Sequence, residues 1–146
     1  MIRDLTGADA PVLAELYKAF FGEESDVEKM REQLVQLQKD DDYILLGYAG
    51  EDGQLLGSVM GIVCQELYGD CRPFLVLENM AVDSRARRKG VGKALVQELE
   101  RRAAMAGCSQ ILLVTEKVRV EACAFYESLG FSKETTGYKK KIAQGG

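Results

Sequence analysis

"ENMAVDSRARRKGVGKAL", residues 78–95, runs from an apolar strand-like segment into four basic residues, two glycines one residue apart, a fifth basic residue and then an apolar pattern of helical spacing. A strand that passes through a glycine-containing turn into a helix start leaves several backbone N–H groups unpaired and converging, and the helix dipole adds positive charge there. Gly90 and Gly92 carry no Cβ and let a bulky anion approach the backbone, while Arg87, Arg88 and Lys93 supply charge around it. The segment reads as a seat for a diphosphate or a similar anion. Spacing excludes two other phosphate loops. A Walker A loop needs glycine where Arg87 stands and Ser or Thr where Ala94 stands, and a dinucleotide fingerprint needs glycine at Leu95. Taken alone, the G-x-G fits equally well a plain helix start with a solvated basic turn.

The rest of the chain bounds the answer. Its 146 residues suit one ordinary domain with one core, and its net charge of −4 argues against a surface devoted to nucleic acid, so the basic run is a local feature. Cys64, Cys71, Cys108 and Cys123 show no C-x-x-C spacing, and the chain has no histidine to complete a mixed zinc site or a Cys-His pair. They read as reduced thiols with no metal. The opening "MIRDLTGADA" meets charge where a signal peptide would be apolar, and no apolar run approaches the roughly 18 residues that span a bilayer. A cytoplasmic protein without a membrane partner is the expectation.

Outward from the loop, the pattern predicts an opening strand at "MIRDL" and a helix capped by Thr6 and Asp9, with Leu13, Leu16, Tyr17, Phe20 and Phe21 at helical spacing. A second helix, capped by Ser25 with Glu28, carries Val27, Met30, Leu34 and Leu37. "YILLGYAG" and "QLLGSVMGIVCQEL" flank a glycine turn and read as a hairpin; "PFLVLENMAV" is a third strand of this run. After the loop, Val91, Ala94, Leu95 and Leu99 mark a helix stopped by Gly107. "QILLVTE" has the continuous apolar character of a strand covered on both faces. A last helix holds Ala122, Phe125, Tyr126 and Leu129, and two further strands are expected from Phe131 through "GYKKKI". The fold class is α/β with a mixed (α+β) sheet, one domain over residues 1–146, in the order β-α-α-β-β-β-α-β-α-β-β.

"ENMAVDSRARRKGVGKAL" resembles the acetyl-CoA-binding motif of the GNAT N-acetyltransferase superfamily, whose loop reads R/Q-x-x-G-x-G/A and is matched by Arg87-Arg88-Lys89-Gly90-Val91-Gly92. "ACAFYESLGF" resembles that family's later motif A-x-x-F-Y-x-x-x-G-F at Ala122, Phe125, Tyr126, Gly130 and Phe131. Two motifs in the right order, with the element order above, extend the resemblance over nearly the whole chain. It implies that acetyl-CoA is the acetyl donor, its pyrophosphate on the amides of Arg87 through Lys93. It also implies that the pantetheine arm lies along Met80, Ala81 and Val82, where that strand and "ILLVTE" part, and that an N–H near Met80 faces the thioester carbonyl.

Direct transfer to an amine needs no protein nucleophile but two proton movements: the ammonium must lose a proton, and the departing thiolate is helped by gaining one. Tyr126 falls on the family's position for the general acid; an aromatic packed beside Phe125 is the other reading of the same residue. Glu78 lies in an otherwise apolar strand, where a carboxylate must be paired, hydrated or used, and is the candidate base, with an edge-facing glutamate as the alternative. Glu116 is the reserve base. Where the family often has asparagine, this chain has Arg119, long enough to lie along the coenzyme, pair with Glu116 or face solvent. The resemblance makes the first two helices a wall of the acceptor site, bringing in Phe20, Phe21, Glu23 and Glu24, with Tyr68, Asp70 and Arg72 opposite. The expected acceptor is a primary amine of a small molecule or peptide, and a homodimer is left open. The same loop in a protein that has lost turnover would make an acyl-CoA sensor or partner module instead.

Overall fold

A computed structural model describes residues 1–144, and the chain divides into two compact units, Met1–Leu113 and Val114–Gly146. The first holds a five-stranded sheet in the order β1-β2-β3-β4-β5: β1 Ile2–Asp4, β2 Tyr43–Ala49, β3 Leu55–Cys64, β4 Phe74–Val82 and β5 Ile111–Leu112. Neighbours are antiparallel except β4 and β5, which run parallel. Helices α1 (Ala10–Phe21) and α2 (Val27–Leu37) join β1 to β2, and α3 (Val91–Met105) joins β4 to β5.

The two faces of the sheet bury different helices. Leu13 and Leu16 of α1 and Leu34 of α2 form one cluster with Leu5, Leu45 and Ala81, and Tyr17, Phe20, Met30 and Met60 pack against it. On the other face Val91, Leu95 and Leu99 of the predicted stripe of α3 are buried, Ala94 is only half-buried, and Val96 and Ala103 complete the stripe. A Cβ added to Gly57 or Gly61 of β3 would strike this stripe, so those positions hold α3 close to the sheet.

Local chemistry sets the boundaries. Asp9 accepts from the Thr6 N–H at 2.7 Å, closing the predicted box over a 3₁₀ turn that leads into α1. The cap of α2 is Asp26, whose carboxylate accepts from the Lys29 N–H at 3.1 Å, one residue later than the expected Ser25; Glu28 pairs with Arg31 instead. The hairpin turns at residues 50–53 as expected.

Two expectations are corrected. "QILLVTE" forms only the two-residue edge strand β5, and Leu112 and Val114 are exposed rather than covered on both faces. The two terminal strands expected from Phe131 to Ile142 are absent: that stretch is mostly polar, and its apolar Tyr138 and Ile142 lie exposed, so it has no alternating face to bury. The second unit therefore contains one helix, α4 (Val120–Ser128), among the described residues. It ends in a Schellman motif. Phe131 N–H bonds to Tyr126 O and Gly130 N–H to Glu127 O, Gly130 takes a left-handed φ of 93°, and the Tyr126 and Phe131 rings meet 5.6 Å apart. The paired "FY" and "GF" of the second motif are thus the two sides of one helix stop.

Candidate active site

The basic loop begins where β4 ends. Asp83 caps a short 3₁₀ turn at Ser84–Ala86, accepting from the Arg85 N–H at 2.9 Å and pairing with its guanidinium at 2.8 Å. Side-chain bonds from Arg85, then its backbone N–H, hold the Asp83 carboxyl down at about 2. Arg88 takes a left-handed φ of 64° and Gly90 one of 81°, and α3 starts at Val91. Ala94 is the first α3 residue whose N–H finds a carbonyl of that helix, Gly90 O at 2.9 Å. The amides of Val91, Gly92 and Lys93 precede that first bond and so point out of the helix start. Arg87, Arg88, Lys89 and Lys93 are all exposed around them. The Arg87 guanidinium lies 5.9 Å from the centroid of the Phe20 ring, on α1, so the loop leans on a residue expected in the acceptor wall.

Beside the loop, β4 and β5 part company. They pair only at Leu75↔Ile111 and Val76↔Leu112, leaving the β5 side of residues 77–82 without a strand partner. On its other side β4 carries a bulge: Met60↔Glu78 is followed by Ser58↔Ala81, so Asn79 and Met80 stand opposite Val59 alone. Such a bulge takes a backbone N–H out of the ladder. Asn79 there has a left-handed φ of 54°. Sequence reasoning passed over Asn79, although an Asn inside an apolar strand is a signal, because Asn tolerates that φ better than other residues with a Cβ.

Glu78, opposite Met60, lies on the α1 side of the sheet and is exposed. Met80 and Ala81 are buried, Val82 half-buried. Phe21 packs edge-on against Tyr17 and Phe20. Glu24 pairs with Lys18 at 2.5 Å, and Glu23 is exposed. Arg72, expected opposite this wall, instead donates to the Gly107 and Cys108 carbonyls beyond the C-terminus of α3, at the end of β4 remote from the loop.

In the second unit, Tyr126 is buried with its ring edge-on to Phe125, 5.1 Å, and Phe131. Glu116 is bonded by Lys139, which holds its carboxyl below the ordinary range. Arg119 precedes α4 and is half-buried; its N–H bonds to Glu116 O at 3.0 Å, and Lys139 pairs with the Glu116 carboxylate. Among the described residues no group of three or more His, Cys, Asp or Glu is placed to hold a metal ion, and no helix is long and apolar enough to cross a membrane.

The sequence profile of the Acetyltransferase (GNAT) family matches residues 10–131. The chain belongs to the GNAT acetyltransferase family. Over 76 residues it is 36% identical to the uncharacterised protein YdhI of Bacillus subtilis, covering 51% of this chain and 44% of that protein. Over 75 residues it is 40% identical to human N-acetylaspartate synthetase, covering 51% of this chain and 24% of that one. The chain therefore spans less than half the length of these curated relatives. In fold it matches a putative acetyltransferase from Agrobacterium tumefaciens with a TM-score of 0.88 at 24% identity, over 97% of this chain and 99% of the other. The GNAT fold is thus present with its parting strands and its glycine loop.

Proposed function

We propose that the protein transfers an acetyl group from acetyl-CoA directly to a primary amine of a small molecule or peptide. The observation that carries this reading is the conjunction, within one compact unit, of a helix start with free amides, a ring of cations around it, and an unpaired strand side leading away from it. A diphosphate fits the first two, and a chain of amides, such as a pantetheine arm, fits the third by adding to the strand side. The coenzyme supplies the acetyl thioester.

Each role below belongs to this chain's own groups. The amides of residues 90–93, with Arg87, Arg88 and Lys89, hold the diphosphate. Met80, Ala81 and Val82 offer backbone to the arm, and the N–H freed at the bulge stabilises negative charge on the carbonyl oxygen, about 3 kcal/mol for one such donor. Glu78 receives the amine proton, directly or through water. Its exposure suits traffic with solvent, whereas Lys139 binds the Glu116 carboxylate and holds it below its ordinary range. Tyr126 is assigned the acid's role on its match to the second motif. Phe20, Phe21, Glu23 and Glu24 form an aromatic and acidic wall suited to a cationic acceptor. Residues 1–146 act as one domain, a reading supported by a family match that runs through both compact units. The free cysteines suit a reducing compartment such as the cytoplasm.

The test is a mass-spectrometric screen of an amine library with acetyl-CoA, alongside calorimetric titration of the coenzyme. Micromolar coenzyme binding with an acetylated amine is expected. Tight binding with no acetylated product would make the protein a sensor; no binding would refute the loop assignment.

A further inference from the structure

On the face of the sheet beneath α1, one polar side chain is buried among apolar ones. Ser58 of β3 is fully buried, and its Oγ makes no hydrogen bond of good geometry. It pairs across the ladder with Ala81, immediately beyond the bulge that holds Asn79 at its left-handed φ of 54°. From α1, Tyr17 brings its hydroxyl next to both; burial pushes that hydroxyl's pKa up, and Ser58 and Asn79, each able to donate to its oxygen, restrain the rise. The Tyr17 ring packs on the Leu13, Leu16 and Ala81 cluster, so α1 fixes where the hydroxyl sits.

A left-handed φ inside a strand is less costly for Asn than for other residues with a Cβ, yet it is steadier with help. Asn79 gains that help if its carboxamide is tied to a fixed partner, and Tyr17 is the neighbour that the helix holds still. We propose that Tyr17 is a positioning residue: its hydroxyl, seated between Ser58 and Asn79, locks the β4 bulge and so sets the direction of the Met80 amide. This rests on the acyl-transfer reading above, in which that amide faces the carbonyl oxygen. Tyr17 itself exchanges no proton in this scheme.

Tyr17→Phe keeps the packed ring and removes the hydroxyl. It should lower kcat about 10- to 100-fold, the scale of a misdirected group, with coenzyme affinity and the KM for coenzyme changed less than about 2-fold. Glycine adopts the left-handed φ without a partner. In an Asn79→Gly background, adding Tyr17→Phe should therefore cost less than about 2-fold further, which makes the pair a double-mutant cycle. Hydrogen exchange at the Met80 amide supplies a readout independent of turnover: faster in Tyr17→Phe, and insensitive to that substitution in the Asn79→Gly background. Unchanged exchange at Met80 in Tyr17→Phe overturns the lock, and so does a kcat loss that persists in full when Asn79→Gly is also present, since Tyr17 would then act on the reacting groups directly. A wild-type protein that acetylates no amine refutes the acyl-transfer reading alone, and the lock is then judged by exchange.

Discussion

Gly57→Ala should damage coenzyme binding through a residue that no coenzyme touches. A Cβ at position 57 would lie 2.8 Å from Val91 Cγ1, 3.2 Å from Leu95 Cδ1 and 3.2 Å from the Ala81 carbonyl oxygen. The carbonyl belongs to the paired strand and cannot retreat, and Val91, β-branched and fully buried, has no free rotamer to escape into. Relief comes from lifting the start of α3 by about 0.6 Å, the difference between the new contact and an ordinary one of 3.4 Å. Overpacking of this kind costs about 1–3 kcal/mol. With an unfolding entropy of about 0.3 kcal/mol/K for a chain this long, Tm should fall by roughly 3–10 °C. The lift displaces the amides of Val91, Gly92 and Lys93, and a loss near 1.4 kcal/mol there is about 10-fold in Kd. Gly61→Ala is the control. Its Cβ would strike Leu99 Cδ1 at 2.5 Å, about 12 Å further along α3 from the loop, so Tm should fall comparably while coenzyme affinity stays within about 2-fold. Thermal melts and calorimetric titration of both variants read the contrast. If Gly57→Ala loses stability but binds coenzyme normally, or if Gly61→Ala weakens binding equally, the loop is not set by this contact.

Other substitutions probe the proton path and the loop's anchor. Tyr126→Phe keeps the edge contacts with Phe125 and Phe131, and coenzyme affinity should hold while turnover falls about 10²- to 10⁴-fold; equal turnover would leave Tyr126 as a packing residue. Glu78→Gln should lower turnover, preserve coenzyme binding and regain part of its rate as rising pH deprotonates the free amine; a wild-type pH profile at wild-type rates would remove Glu78 from the mechanism. The Asp83 carboxyl, held at about 2 by Arg85, contributes stability that is present above its unfolded value near 4 and lost as pH falls through its folded value. Because Arg85 is 65% exposed, solvent screening keeps this contribution small. Asp83→Asn should therefore be less stable at neutral pH and show a flatter acid melt between about pH 4 and 2, and an unchanged acid melt would exclude the pair as an anchor.

Elements whose signals are local were legible in the sequence. The apolar stripe of α3, the hairpin glycines and the acidic caps each act within a turn or two of chain, and even the displaced cap of α2 moved by a single residue, because Ser25 and Asp26 are both good caps and only the reach to the Lys29 amide separates them. The loop was legible because its glycines and cations are contiguous. What escaped depends on pairing between distant segments. "QILLVTE" reads as a buried strand from its composition, yet it forms an edge that pairs for two residues before β4 turns away. Tyr17 read as one more core aromatic, since nothing in α1 announces that its hydroxyl meets Ser58 and Asn79. Arg72, expected to border the side opposite the acceptor wall, instead binds the carbonyls beyond α3, a contact spanning 35 residues of sequence.

The bulge in β4 divides the work of the two sheet faces. On the α3 side, β3 is stripped to glycine at 57 and 61, and the helix approaches so closely that its start is fixed as a rigid body; rigidity is what a bed of amides for a diphosphate requires. On the α1 side the same strands carry Ser58, Met60 and Glu78, which pack against α1 less closely than the glycine face packs against α3 or, at Glu78, stay exposed. The two sides meet at Arg87, which belongs to the loop by sequence but rests over Phe20 of α1. In the function proposed above, Phe20 is then both a wall for the acceptor and a support for a cation at the diphosphate. Shortening it would slacken Arg87 as well as widen the wall, so a substitution chosen to alter acceptor preference at Phe20 should carry a cost in coenzyme affinity.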